Sequence, residues 1–403
     1  MIRSVAYLGM HTSPLAQPGQ GDAGGLNVYM HELACTMARR GIGVVVFTRS
    51  TATNQESEID VAPGYRVVNV PAGPTAPIPV DEMPPHVGAF AAGVLDWSRA
   101  NSATFDLVHS HYWLSGWAGV LVKEAMNVPL ANSFHTLGRV KDLTKRFDEA
   151  PSNPMRTLTE EEVIARSNCV IASTPYEFDD LLEHYGASPE RLCTSPPGVD
   201  HTIFRPGNKA EARRWLGLEG GPLVLFVGRI QAHKGIDVAV QAVAGIAGAH
   251  LVIVGGPSGP DGAEELADLH RLAATLGVRD RVHFLAPQPH DQLADFYRAA
   301  DVLVMPSRSE TFGLVAAEAQ ACGLPVVAAR VGGLPYVVAD GASGILVEGH
   351  SPDAYTKALR LVLEDPDYAA TLAAGAIDRA AAFSWPATAD RFLELYHGIT
   401  GAP

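Results

Sequence analysis

The sequence predicts an α/β fold made of two doubly wound, Rossmann-like halves. Short apolar runs bounded by turn residues alternate with amphipathic helical patterns, and the alternation starts again after a linker rich in proline and glycine. Continuous apolar runs are typical of parallel strands covered on both faces by helices. Two such halves predict a central cleft between the carboxyl ends of two sheets, where open α/β sheets bind ligands.

The first half, residues 1–200, is expected to open with a strand at Val5–Gly9 and a loop rich in glycine and proline from Met10 to Gly25. A helix from about Leu26 to Arg40 follows. After a proline-rich surface stretch at Pro71–Pro85, short apolar runs again indicate strands. The strand segments after the first are GVVVF, FDLVHSH, which is expected to run from a strand into a loop, VPLANSFHT and CVIAST.

The second half, residues 201–383, repeats this architecture after the linker Pro196–Gly207. Its strand segments are PLVLFVGRI, HLVIVGG, VHFLAP, DVLVMPS and LPVVAAR, and its helices are expected near Ile236–Ala247, Ala263–Leu276, Asp291–Ala299 and Gly313–Cys322. A last amphipathic helix, from about Trp385 to His397 within residues 384–403, is expected to pack back on the first half.

Composition limits the classes of partner. The 403 residues include 30 Lys and Arg against 44 Asp and Glu, a formal net charge of −14, and 47% of them are hydrophobic. The length predicts two or three domains with a large core. The acidic balance argues against a nucleic-acid partner, because neutralising phosphates requires concentrated Lys and Arg. It leaves room for a local basic pocket.

Cysteine usage and hydropathy predict a cytoplasmic protein without a membrane partner. Cys35, Cys169, Cys193 and Cys322 are far apart, without a C-x-x-C pair, so neither a disulfide framework nor a zinc site is expected. The apolar start lacks a cleavage site, and no stretch approaches the roughly 18 apolar residues of a membrane span.

Two loops carry features suited to phosphate. Gly24 and Gly25 precede a helix, where free N–H groups and the helix dipole favour an anion; a plain tight turn is the alternative. Arg229 and Lys234 are five positions apart in the loop after an apolar strand. Together they could neutralise a pyrophosphate leaving group, and a solvated loop is the alternative.

Glu310 and Glu318 are eight positions apart in SETFGLVAAEAQ. With Glu318 on the helix and Glu310 on the loop before it, both carboxylates can face one ligand and accept from sugar hydroxyls. The N–H groups of Phe312, Gly313 and Leu314 at the helix start stay free for phosphate or sugar oxygens. Exposed helix glutamates are usually only solvated, but the S-x-x-F-G turn and the following strand favour a site.

Two histidine-containing segments, His109–Gly116 and Ser133–Gly138, are expected to follow strands of the first half at the cleft edge. Aromatic rings beside histidines suit carbohydrate faces and hydroxyls. A histidine at a strand end is equally often a structural residue with satisfied hydrogen bonds.

Together these segments resemble the GT-B retaining glycosyltransferases, and the E-x7-E arrangement with GR…KG is specific for that class. Within the class, four segments resemble the glycosyltransferases of mycothiol synthesis, which move N-acetylglucosamine from a UDP donor onto inositol 1-phosphate. These segments are MHTSPLAQPGQGDAGGLNVY, HSHYWLSG, GGPSGP (Gly255–Pro260) and AARVGGLPYVVADG. The resemblance covers nearly the whole chain.

The resemblance implies a set of donor-binding residues: Gly24, Gly25, Arg229, Lys234, Glu310, Phe312, Gly313, Leu314 and Glu318. The Gly25 N–H and the two cations contact the diphosphate, Glu318 the ribose, and Glu310 the 3-hydroxyl of the sugar. His135 lies against the donor sugar and counts as catalytic together with Arg229, Lys234 and Glu310.

On the acceptor side the resemblance implies Asn27, Tyr112, Thr136 and Arg156, the last three around the acceptor phosphate. The co-substrate is a nucleotide sugar, with a UDP-sugar ahead of a GDP-sugar. No other cofactor and no essential metal are expected, because no D-x-D motif ends a strand. Neither Gln288 nor any other residue discriminates the base. The oligomeric state is open, a homodimer included.

One departure from that family concerns the acceptor phosphate. Where the family has a lysine, this chain has Val80, followed by Asp81 and Glu82. Losing one charge-assisted contact removes about 1.5–3 kcal/mol. Arg139 also alters the segment after His135. We therefore expect a paralogue that acts on an unphosphorylated cyclitol, an aminocyclitol or a thiol in natural-product or small-thiol biosynthesis.

Several alternatives stay open. Inositol phosphate is the first alternative acceptor, and S-glycosylation of a small thiol, as in lincosamide-type pathways, is another. A nucleotide-sugar hydrolase or epimerase, or a sugar-nucleotide sensor, would bind the donor in the same way as a glycosyltransferase. A nicotinamide dehydrogenase is disfavoured, because the nearest G-x-G-x-x-G candidate contains Pro257 and Pro260. In the family's usual account the departing phosphate oxygen deprotonates the acceptor, without an enzymic nucleophile.

Overall fold

The computed structural model describes residues 2–145, 151–218, 220–259 and 261–401. Two β-sheets, each flanked by helices, account for the α/β fold that the sequence predicts. Pro260, which ends the GGPSGP segment, and the last two residues of the segment 384–403 lie outside the described residues.

The first sheet has eight strands. They are β1 (Ser4–Leu8), β2 (Gly43–Arg49), β3 (Glu58–Ala62), β4 (Tyr65–Val70), β5 (Leu107–His111), β6 (Leu130–Ser133), β7 (Cys169–Ala172) and β8 (Leu192–Thr194). Their order is β3-β4-β2-β1-β5-β6-β7-β8, and all neighbours are parallel except β3 and β4. The helices of this half are α1 (Gly25–Arg39), α2 (Val87–Ala100), α3 (Trp113–Met126), α4 (Gly138–Thr144), α5 (Pro154–Arg166) and α6 (Pro175–Tyr185).

The second sheet has six parallel strands. They are β9 (Leu223–Val227), β10 (His250–Val254), β11 (Val282–Leu285), β12 (Val302–Met305), β13 (Val326–Ala329) and β14 (Gly344–Val347), in the order β11-β10-β9-β12-β13-β14. The remaining helices are α7 (Lys209–Leu216), α8 (Ile236–Ala244), α9 (Gly262–Thr275), α10 (Leu293–Ala299), α11 (Leu314–Ala321), α12 (Leu334–Val337), α13 (Pro352–Glu364), α14 (Pro366–Ala380) and α15 (Trp385–Thr400).

Most expected elements are present with ends shifted by one to three residues, but two expectations need correction. The stretch Pro71–Pro85 is only partly a surface loop, because Met83 and Pro84 are buried and 3-10 turns begin at Val80. His109 and His111 do not follow a strand; they are fully buried within β5, and the chain turns directly into α3 after Tyr112.

The strand order fixes where ligands can reach the backbone. In each sheet the order in which successive strands are added changes direction, between β1 and β5 in the first sheet and between β9 and β12 in the second. Loops at such a switch point diverge and leave a crevice at the carboxyl ends of the strands. The Gly24 loop and Tyr112 follow β1 and β5, while Arg229 and Glu310 follow β9 and β12.

The last helix, α15, packs on the first sheet. Phe392 and Tyr396 are fully buried in one cluster with Tyr7, and the Tyr396 hydroxyl lies 2.7 Å from Nδ1 of His109. Gly198 packs against the start of this helix, where an added Cβ would lie 2.1 Å from the backbone nitrogen of Trp385. Only glycine permits so close a backbone approach. None of the described helices is long and apolar enough to cross a membrane.

Because Phe392 is fully buried between α15 and the first sheet, Phe392→Ala is expected to lower the free energy of unfolding by about 3–5 kcal/mol. Chemical denaturation monitors the loss. The control Glu394→Ala changes an exposed residue of the same helix, which forms a surface ion pair with Arg391, and is expected to cost less than about 1 kcal/mol. Equal effects of the two substitutions would contradict the packing role.

Candidate active site

The loop before α1 is shaped by Asn27. The side-chain Oδ1 of Asn27 accepts the Gly24 N–H at 2.8 Å, and Nδ2 donates to Thr12 Oγ1 at 2.6 Å and to the Ser13 carbonyl at 2.5 Å. The side chain is 1% exposed. Here Asn27 therefore positions the glycine loop, and an acceptor contact of its own stays a prediction.

Arg229 extends from the second half over this loop. A Cβ on Gly24 would lie 3.4 Å from Nε of Arg229, so a glycine leaves room for the guanidinium. Nη1 of Arg229 contacts the Asp22 carbonyl at 3.5 Å and Ser258 Oγ at 3.4 Å, both long contacts. Burial lowers the pKa of Arg229, with the Asp22 and Glu310 carboxylates acting against it. The guanidinium thus lies beside the loop glycines with few strong partners.

Lys234 and Glu310 contact each other directly. Nζ of Lys234 lies 2.7 Å from Oε2 of Glu310, and the two side chains are 20% and 18% exposed. Both were predicted to bind the donor, one its diphosphate and the other its sugar. The structure brings these predicted residues together as an ion pair, which an incoming diphosphate would have to share.

Glu318 lies on α11 and is buried. Its carboxylate accepts from the Tyr297 hydroxyl at 2.9 Å and lies 2.7 Å from Nε2 of His290. Burial by itself would lower the pKa of His290, but the Glu318 carboxylate outweighs it and raises that pKa. The sequence analysis missed both partners, although His290 stands only two residues after Gln288 in a loop it had singled out.

The start of α11 presents backbone donors. Among the described residues, the N–H groups of Phe312, Gly313 and Leu314 have no hydrogen-bond acceptor. Gly313 has a φ of 101°, a conformation that favours glycine, and an added Cβ would lie 2.8 Å from the Leu334 side chain. Unsatisfied N–H groups at a helix start attract anions and sugar oxygens.

Tyr112 and His135 follow the neighbouring strands β5 and β6 with positive φ, 80° and 63°. Such angles are costly for residues other than glycine and cluster at functional sites. The Thr311 hydroxyl of the second half donates to the His135 carbonyl at 2.6 Å. Burial lowers the pKa of His135 to about 3, so its ring is neutral at physiological pH.

Arg156 brings together the three residues predicted around an acceptor phosphate. Its Nη2 donates to the carbonyl and hydroxyl of Thr136 at 2.8 and 3.0 Å, and its Nη1 contacts the Tyr112 hydroxyl at 3.3 Å. Nε donates to the buried Glu160 at 2.8 Å, which balances the charge. Gly138 and Tyr185 also donate to Glu160, so the arginine is held in place.

His11 is a central residue that the sequence analysis did not single out. Its ring lies 4.4 Å from that of Tyr112, and its Nδ1 is buried without a hydrogen-bond partner among the described residues. Burial lowers the pKa of His11 to about 3, helped by nearby His135, Arg229 and Arg156. The arginines predicted for the donor and for the acceptor, Arg229 and Arg156, therefore both lie near one neutral imidazole.

The expectation of an unphosphorylated acceptor rests on Val80, Asp81, Glu82 and Arg139. Val80 is half-buried and packs against the first core, whereas Asp81 and Glu82 are exposed. The Arg139 guanidinium contacts Glu161 and the His184 carbonyl and lies 4.9 Å from the centre of the Tyr185 ring. In the described part of the chain, no three His, Cys, Asp or Glu side chains are grouped to hold a metal ion.

The raised pKa of His290 predicts a pH-dependent stability. The pair with Glu318 contributes fully below the ordinary histidine pKa of about 6.5 and is lost as the pH rises through the raised value. His290→Gln is therefore expected to destabilise the protein by about 1–2 kcal/mol more at a pH one unit below the ordinary histidine pKa of about 6.5 than at a pH well above the raised value. Thermal unfolding at both pH values measures this difference, and a pH-independent effect would contradict the ion pair.

Comparison with known proteins identifies the family of this chain. Residues 23–203 match the family "Glycosyltransferase Family 4", and residues 208–379 match "Glycosyl transferases group 1". The D-inositol 3-phosphate glycosyltransferase of Acidothermus cellulolyticus is 48% identical, over 98% of this chain and 90% of that protein. The sucrose-phosphate synthase of Thermosynechococcus elongatus is 34% identical, with a TM-score of 0.93 over 100% of both chains.

Anabaena HepE, solved in complex with UDP and glucose, shares the fold at 19% identity, with a TM-score of 0.78 over 98% of this chain and 99% of its own. These matches confirm the predicted family. The chain therefore belongs to the group 1 glycosyl transferases and is a glycosyltransferase with the GT-B fold.

Proposed function

We propose that this enzyme transfers N-acetylglucosamine from a UDP donor to an inositol phosphate, with retention of configuration. The observation that carries the proposal is the preformed cluster of Arg156, Tyr112 and Thr136, in a chain whose relatives include D-inositol 3-phosphate glycosyltransferases. A guanidinium with one N–H still unused, beside two hydroxyls, suits a phosphate.

The donor binds mainly to the second half in this proposal. Arg229 and Lys234 neutralise the diphosphate, assisted by the Gly25 N–H, and Glu318 accepts from the ribose hydroxyls. Glu310 and the amides of Phe312, Gly313 and Leu314 contact the sugar. The ion pair of Lys234 with Glu310 supports this arrangement, because it holds a cation and a carboxylate side by side where a diphosphate joins a sugar.

An unphosphorylated acceptor is the second candidate, which the sequence alone had favoured. It is supported by Val80 in place of a lysine and by the acidic residues Asp81 and Glu82 next to it. One missing contact costs about 1.5–3 kcal/mol, which weakens phosphate binding without abolishing it. Because both carboxylates are exposed, solvent screens their repulsion, and the buried Arg156 cluster outweighs them.

The chemistry follows from charge and position. The acceptor hydroxyl attacks the sugar carbon from the face that the nucleotide leaves, and the departing phosphate oxygen takes its proton. Stabilisation of the developing phosphate charge by Arg229, Lys234 and helix N-terminal amides lowers the barrier. Alignment of the two substrates between the halves lowers the barrier further.

The acceptor assignment predicts that kcat/KM with D-inositol 3-phosphate exceeds kcat/KM with inositol by at least about tenfold, because one charge-assisted hydrogen bond to the phosphate contributes about that factor. Coupled measurement of UDP release with each acceptor tests this. Higher activity with inositol, an aminocyclitol or a small thiol would favour the second candidate. UDP release without any acceptor would indicate a hydrolase.

Arg156→Lys retains the charge opposite Glu160 but loses the planar guanidinium. We expect KM for inositol phosphate to rise about tenfold, while the low activity on inositol stays unchanged. Arg139→Lys is the matched control, because Arg139 already contacts Glu161 and the His184 carbonyl. An equal loss of activity with both acceptors would show that Arg156 does not bind the phosphate.

Lys234→Ala is expected to lower kcat about a hundredfold or more, with a smaller effect on the dissociation constant of the UDP-sugar, because the diphosphate charge grows in the transition state. Steady-state kinetics and calorimetric titration separate the two quantities. Lys357→Ala, an exposed change on α13, serves as the control. Equal losses in kcat and donor affinity would mean that Lys234 contributes uniform binding.

A further inference from the structure

The two ring nitrogens of His135 have different surroundings. Nε2 lies 3.0 Å from Nδ1 of His111, and the two rings are stacked with centres 5.3 Å apart and planes 27° apart. Nδ1 of His135 has no hydrogen-bond partner among the described residues and is not one of the fully buried unpartnered atoms. One nitrogen thus points into the protein, and the other is left for a substrate.

Both rings are neutral. Burial lowers the pKa of His135 to about 3 and lowers that of His111 well below its ordinary value. Each ring therefore carries one N–H, and the bond between them needs one donor and one acceptor. Either His111 donates from Nδ1, which leaves His135 protonated on Nδ1, or His135 donates from Nε2, which leaves its Nδ1 bare.

The far side of His111 distinguishes the two arrangements. Nε2 of His111 is buried and has no partner among the described residues. If His135 donated, this nitrogen would carry a hydrogen and become a buried donor without an acceptor, and buried N–H groups without an acceptor are rarer than acceptors without a donor. If His111 donates, the same nitrogen is bare.

The position of His111 is fixed. It is the last residue of β5, opposite Ser133 of β6, and is fully buried. Its ring centre lies 4.2 Å from that of His109, 5.4 Å from Tyr7 and 5.8 Å from Tyr29. Surrounded by these rings, the imidazole cannot turn away from His135 without repacking the core.

We propose that His111 is a positioning residue that donates from Nδ1 to Nε2 of His135 and so fixes His135 as the tautomer with its N–H on Nδ1. His135 then presents a hydrogen-bond donor, and the substrate group that it contacts must be an acceptor, such as a sugar hydroxyl or ring oxygen. The contact with a sugar rests on the proposed function; the tautomer does not.

The tautomer is measured directly on the wild-type protein with ¹⁵N-labelled histidine, by long-range ¹H–¹⁵N NMR. The signals of His135 are assigned by their loss in His135→Gln. We expect the protonated nitrogen of His135 to be Nδ1 and the bare one to be Nε2. The reverse pattern, or rapid averaging of the two tautomers, would overturn the proposal. Because this measurement needs no turnover, it is independent of the proposed function.

Two variants test the consequence for sugar transfer. His111→Asn retains an N–H near the position of Nδ1, whereas His111→Leu removes it. We expect kcat/KM to fall about tenfold in His111→Leu and to stay within about threefold of wild type in His111→Asn, since one hydrogen bond is at stake. Of these two variants, His111→Asn is expected to retain the NMR signature of His135 and His111→Leu to lose it.

His109→Asn is the matched control. His109 is equally buried in β5, but its nitrogens lie against Ser133 and Tyr396 and not against His135. Its substitution is expected to lower stability without changing the tautomer of His135. If all three variants lowered kcat/KM alike while the tautomer stayed the same, His111 would be merely structural and the proposal would fail.

Discussion

The hydrogen bond from the Thr311 hydroxyl to the His135 carbonyl, 2.6 Å long, joins the two halves of the chain through the loops that follow β12 and β6. It stabilises a histidine whose backbone has a positive φ and whose ring is fixed from behind by His111. The loops at the switch points of the two sheets carry the other polar groups of the predicted site, among them Arg229 and Glu310. Relative movement of the halves would therefore change the reaction centre before it changed either core.

Further contacts between the halves come from the loop that follows β1. Ser258 donates to the Gly21 carbonyl at 2.5 Å, and Gln17 donates to the Gln288 carbonyl at 2.6 Å. The same loop ends at Gly24, beneath Arg229. In the proposed function, the contacts that join the two halves therefore also place Arg229 at the diphosphate, so that binding energy can be used to align two substrates.

Although the net charge is −14, cationic side chains lie at the predicted site on both halves of the chain. Arg229 and Lys234 lie on the second half, and Arg156, balanced by the buried Glu160, lies on the first. His11 lies near Arg229 and Arg156 but stays neutral, because burial lowers its pKa to about 3. In the proposed function, the diphosphate of the donor and the phosphate of the acceptor thus have separate partners.

The sequence predicted the two-sheet fold and most of the residues near the site, because apolar strands, loop glycines and paired charges leave local signals. It did not predict that His109 and His111 are interior strand residues, since a histidine buried among aromatic rings resembles one at a loop in a one-dimensional pattern. His11 and His290 were missed because their contacts depend on partners distant in the sequence. Glu160 is four residues from Arg156, but its burial and its contacts with Gly138 and Tyr185 depend on the fold. Asn27 was noticed, but its use in holding the loop depends on a fold around Thr12 and Ser13 that no local pattern predicts.

The central claim is that the two halves hold two different anions, and a crystal structure with UDP and D-inositol 3-phosphate tests it most directly. The account predicts the diphosphate against Arg229, Lys234 and the Gly25 amide, and the inositol phosphate against Arg156, Tyr112 and Thr136. An inositol phosphate bound away from Arg156, or a diphosphate that does not contact Arg229 and Lys234, would contradict it.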